Sequence, residues 1–158
     1  MSSIVCATRA GEGSRAVQQA AIALAKETGQ HLIFLYIIES RILESLEEPM
    51  RPYVRTELYW LAKSLLNIAE NRAKADDLSP SLIIREGHVQ DEIAEIVKEM
   101  DAGCLLLGAP RHNRANTFAE EAINEFAKAI HQATGVTVRV IWPQAETTSS
   151  LLRPAIDR

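Results

Sequence analysis

Cysteine is scarce: Cys6 and Cys104 are the only two in 158 residues, and each sits inside an apolar run. They read as buried free thiols, because cysteine is among the most buried residue types. Neither position offers the exposed, electropositive setting of a redox pair. No Cys-x-x-Cys occurs, and His31, His88, His112 and His131 lack metal-ligand spacing, which excludes a structural zinc. No apolar run approaches the ~20 residues of a membrane helix. The opening Met-Ser-Ser-Ile carries no charged leader, so no secretion signal is expected and the cytoplasm is the expected location. A basic surplus is missing too: the formal charge is -4, which argues against a general nucleic-acid binder.

Catalytic signatures are also missing. Gly11-Glu12-Gly13-Ser14 contains a Gly-x-Gly, but the Lys-Ser/Thr of a phosphate-binding loop does not follow. Neither a Gly-x-Ser-x-Gly elbow nor a His-Glu-x-x-His helix is present. His88 and Asp91 could form an acid/base pair, yet no nucleophile stands beside them in sequence. Nothing in the chain demands an enzyme.

The length and the 47% of hydrophobic residues suit one domain with a single buried core. Strand candidates cover Ile4–Thr8, His31–Ile38, Leu82–Arg85, Cys104–Gly108 and Val136–Trp142. Between them run amphipathic helices over about Ser14–Thr28, Pro52–Ala75, Asp91–Met100 and Asn116–Ala133. Gly29, Gly103 and Gly135 are expected to stop three of these helices. Ser14 and Asn116 are expected to cap two of them, while Asp91 favours the start of a third electrostatically. Val54, Leu58, Leu61, Leu65 and Ile68 fall at three- and four-residue steps, which suits a helix packed on a sheet better than a short coiled coil. Glu39–Pro49 reads as a polar, acidic, partly mobile connection, and Gln144–Arg158 as a poorly ordered tail after a domain ending at Pro143.

Strands alternating with helices of this length predict an α/β fold: three layers around an open, parallel, five-stranded sheet, with four main helices and right-handed crossovers. The order 3-2-1-4-5 puts the switch in winding between strands one and four. Ligands bind outside the carboxyl ends of strands at such a point. Two loops would meet there, Thr8-Arg9-Ala10-Gly11 and Gly108-Ala109-Pro110-Arg111-His112-Asn113-Arg114. Arg9, Arg111 and Arg114 would then surround a crevice into which helix N-termini point, a setting for an anion. Solvated loop charges are the plainer account of the same arginines.

Over about Ser3–Trp142 the chain resembles the universal stress protein family. The resemblance rests on Ile4-Val5-Cys6-Ala7-Thr8, on Gly13-Ser14-Arg15-Ala16 with Ala20 and Ala25, and on Leu32–Ile38. Arg85-Glu86-Gly87 followed by Ile93, and Leu105-Leu106-Leu107-Gly108, complete it. The ATP-binding type resembles itself in an acid after the first strand and a glycine motif after the fourth: Gly, two residues, Gly, nine residues, then Gly and Ser or Thr. Here Arg9 stands at the acid's place and Arg111 at the second glycine's, with Gly108 matching the first. The final pair becomes Glu121-Ala122 or, aligned from the last strand, Asn124-Glu125. The resemblance therefore implies a member with a degenerate nucleotide site.

Three functions follow as expectations. One is a non-enzymatic, dimeric regulatory module of the stress response, with no cofactor. The second is a sensor for an adenine nucleotide, ATP or AMP, or another anion, using Thr8, Arg9, Ile38, Leu107, Gly108, Arg111, His112 and Arg114. The weakest, on kinship of fold alone, is a nucleotide hydrolase. The last strand is expected at a sheet edge, where Val136, Val138, Val140 and Trp142 would pair with a second copy, as relatives do.

Overall fold

Successive residues of the first strand point to opposite sides of a sheet, and both sides are apolar. Ile4 and Cys6 enter one cluster, with Leu32, Phe34 and Leu106. Val5 enters a second, with Ile33, Leu35, Leu105 and Leu107. A strand buried on both faces belongs in the middle of a parallel sheet covered by helices. The computed structural model describes residues 2–8, 12–109 and 117–143, with the side chains of residues 12, 13 and 117–120 left aside.

Its elements run β1 (Ser3–Thr8), α1 (Glu12–Thr28), β2 (His31–Glu39), α2 (Ser40–Glu44), a 3-10 turn (Glu48–Met50) and α3 (Arg51–Lys74). Then follow β3 (Ser81–Gly87), α4 (Val89–Glu99), β4 (Ala102–Gly108), α5 (Thr117–Thr134) and β5 (Thr137–Ile141). The five strands are all parallel and lie in the order β3-β2-β1-β4-β5. This is the expected three-layer architecture. α1 and α3 cover one face through Val17, Ala21, Ala25, Leu66, Ala69 and Ala73. α4 and α5 cover the other through Ile93, Ile96, Val97 and Ile130.

Gly29 and Gly135 take φ of 73° and 76°, so both helix ends turn as their glycines suggest. The third stop differs. α4 ends before Met100, and Asp101, not Gly103, takes the left-handed conformation with φ 49°. Gly103 lies inside β4 instead. Aspartate tolerates that region better than most side chains, and this lets β4 begin one residue earlier than its glycine.

Three other expectations shift. The segment after β2 is no plain connection: it winds into α2 and the 3-10 turn, anchored by Leu43, which is buried beside Ile38 and Ala62. Ser14 falls inside the first turn of α1, which begins at Glu12, so it does not stand at the cap position. On α3 the face against the sheet is Ala62, Leu66, Ala69 and Ala73, whereas Leu61 and Ile68 face solvent. Small residues let the helix approach the strands closely, and that packing outweighs the larger apolar stripe. Asn116 and residues 144–158 lie outside the described residues.

Candidate functional site

Among the described residues, central strand β1 pairs with β2 only as far as Thr8 opposite Tyr36, while β2 continues alongside β3 as far as Glu39 opposite Gly87. Ile37, Ile38 and Glu39 thus overhang β1. Among the described residues no strand pairs with that side of the overhang. On the other flank β1 pairs with β4 up to Ala7 opposite Leu107, and Gly108 continues toward β5. The Ala109 amide then donates to the Ile141 carbonyl at 2.8 Å, which ties the end of β4 to β5.

A cleft of about 490 Å³ occupies this notch. Thr8, Ile38, Leu107 and Gly108, four of the residues singled out from the sequence, line it together. Arg9, Arg111, His112 and Arg114 lie outside the described residues. The walls are Tyr36, Ile42 and Leu58 on one side, and Val89, Ile93, Ile123 and Phe126 on the other. Described lining is therefore mainly apolar, with Glu39 its single carboxylate. Glu39 stands 3.9 Å from the exposed Arg41, a loose pair that leaves the carboxylate accessible. The Thr8 hydroxyl donates to the Leu35 carbonyl at 3.3 Å and is buried, so it fixes the floor. Burial pushes the Tyr36 phenol above its ordinary pKa and keeps it protonated.

Sequence reasoning missed most of these walls. Val89 and Ile93 are set by the first turns of α4, and Ile123 and Phe126 by one face of α5. Their apolar spacing was visible, but not which of them rise above the strand ends. His88 and Asp91 stand at the start of α4, outside the cleft lining, with no side-chain bond between them. Neither cysteine approaches the cleft. Cys6 is fully buried in the α1–α3 layer, and burial pushes its thiol well above the ordinary range. Cys104 is raised by burial as well, against a lowering by Arg139. Among the described residues no group of histidine, cysteine and carboxylate side chains could hold a metal ion. No helix of the described residues is long and apolar enough to cross a membrane.

The family model described as the universal stress protein family matches residues 1–141. The chain belongs to the universal stress protein family. Solved structures agree on the fold. The protein MJ0577 superposes with a TM-score of 0.74 at 16% identity, covering 92% of this chain and 99% of that one. The universal stress protein UspA of Lactobacillus plantarum gives 0.71 at 17% identity, covering 89% and 97%. A universal stress protein of Archaeoglobus fulgidus, solved in complex with dAMP, gives 0.60 at 16% identity over 89% and 98%. A search of curated proteins finds no match.

Proposed function

We propose that this universal stress protein is a non-enzymatic regulator whose cleft takes an adenine nucleotide carrying one phosphate in preference to a triphosphate. The observation that carries this reading is the notch above β1. It is apolar enough for a purine ring, and the β2 overhang offers alternate backbone N–H and C=O groups to the edge of a base. The fold neighbour solved with dAMP supports the ligand class. The residues at the glycine-motif positions support the preference. Arg111 and either Glu121-Ala122 or Asn124-Glu125 replace the small residues whose amides approach phosphates. A carboxylate there repels a triphosphate more than a monophosphate. Arg9, Arg111 and Arg114 remain the proposed contacts for the single phosphate.

Titration calorimetry with AMP, cyclic AMP and ATP tests the reading. AMP should bind at least several-fold more tightly than ATP. Ala122→Trp should weaken AMP at least tenfold, because Ala122 is an exposed position on the cleft wall where an indole fills the space without disturbing the core. Absence of heat for all three nucleotides at millimolar concentration, or tighter binding of ATP, would overturn it.

The regulator is proposed to work as a homodimer through β5. Among the described residues β5 is an edge strand, bonded to β4 alone, and its Val138 and Val140 are only half-buried within the subunit. Trp142 follows the strand. Val136 precedes it and is already buried against α5, where its carbonyl meets the His131 Nδ1 at 2.7 Å.

A further inference from the structure

A second groove, of about 660 Å³, runs between α1 and the C-terminal end of α3 and shares no residue with the cleft. Arg15, Lys26 and Arg72 line it beside the carboxylates Glu27 and Asp76. The charges do not simply neutralise one another. Lys26 and Asp76 pair at 3.2 Å, closing one end. At the other end Arg72 donates from Nη1 to the Oε1 of Gln18 at 2.5 Å, and Gln18 is only 3% exposed, so it is a fixed post. Arg15 lies one turn before Gln18 and Gln19 on α1, and so reaches the same opening. Among the described residues no carboxylate bonds to Arg15 or Arg72. Partial burial, and then the neighbouring Arg15 charge, both lower the pKa of Arg72. Arg15 and Arg72 therefore present two like charges at one opening.

We propose that this groove binds a phosphate dianion, free or as the monoester of a small metabolite, between the guanidinium groups of Arg15 and Arg72. A dianion removes the repulsion between them, and it can accept paired N–H bonds from the planar forks. Arg72 spends one donor on Gln18 and keeps others for the ligand. The carboxylate end of the groove disfavours longer polyanions, which would reach Glu27.

Thermal melts and amide NMR titrations at fixed ionic strength test this. Inorganic phosphate should raise the Tm above that in chloride, and should shift amides of residues 15–19 and 72–76. Arg15→Gln should reduce phosphate affinity at least tenfold, yet in chloride it should be as stable as the native protein or more so, since the repulsion is gone. Arg72→Lys, which keeps charge but loses the fork, should weaken phosphate as well. Glycerol 3-phosphate binding more tightly than phosphate would identify a monoester as the ligand, and equal binding the free ion. A Tm rise that persists in Arg15→Gln, no rise in the native protein, or amide shifts confined to other residues would overturn the proposal.

Discussion

Among the described residues Thr8 and Tyr36 are the last partners on β1 and β2, and β2 runs three residues beyond them. The cleft lies above that offset. Phe126 faces it from α5 and is half-buried, so its ring is available to a purine. Base–aromatic contacts are worth about 1–3 kcal/mol by alanine substitution. Phe126→Ala should therefore weaken AMP by about tenfold, read by calorimetry, while circular dichroism keeps the native helix content.

Both thiols should be silent in the folded protein. Cys6 is wholly buried and Cys104 nearly so. A thiol reagent at neutral pH should label neither until denaturant is added, and two afterwards. The pH dependence has a definite sign. Burial raises the folded pKa of Cys6, so above the ordinary thiol pKa of about 8.5 the unfolded chain releases a proton that the folded chain keeps. Stability is then fully present below that pH and falls above it, by about 1.4 kcal/mol per pH unit for one thiol. Urea unfolding of Cys6→Ala should show a shallower alkaline decline.

Left-handed positions allow a matched pair of substitutions. Gly135 has φ 76° with open space where a Cβ would stand, so Gly135→Ala meets conformational strain alone. It should cost about 1 kcal/mol. Asp101 sits at φ 49° with a side chain that pays this penalty already. Asp101→Gly should leave stability unchanged or raise it by up to about 1 kcal/mol. Urea midpoints of the two variants should move in opposite directions, or the second not at all.

Strand pairing between copies predicts a mass of two chains in light scattering at micromolar concentration. Val140→Lys should place an ammonium group from each copy in the paired strands and give a monomer. Its melting temperature should be followed in parallel, because Val140 is half-buried in the subunit too. A monomer before mutation would contradict the dimer.

A buried parallel sheet writes itself into sequence because every central strand is apolar on both faces. Ile4–Thr8 and Cys104–Gly108 could thus be recognised, and the strand order expected for them is the one observed. Gly29 and Gly135 were equally legible, since few other residues accept their φ. Asp101 was not, because an aspartate gives little warning of a left-handed turn. The cleft was half legible. Thr8, Ile38, Leu107 and Gly108 converge as their strand ends predict. The overhang of β2 depends on register, which is a tertiary property, and α2 depends on a single anchor, Leu43, amid polar residues.

Trp60 is 68% exposed on the outer side of α3. Its indole is in water before the chain unfolds, so its emission hardly changes when α3 melts. Trp142, half-buried just past β5, then carries most of the change in fluorescence on unfolding. Tryptophan fluorescence of this protein reports on the edge of the sheet, and helix loss needs a different probe.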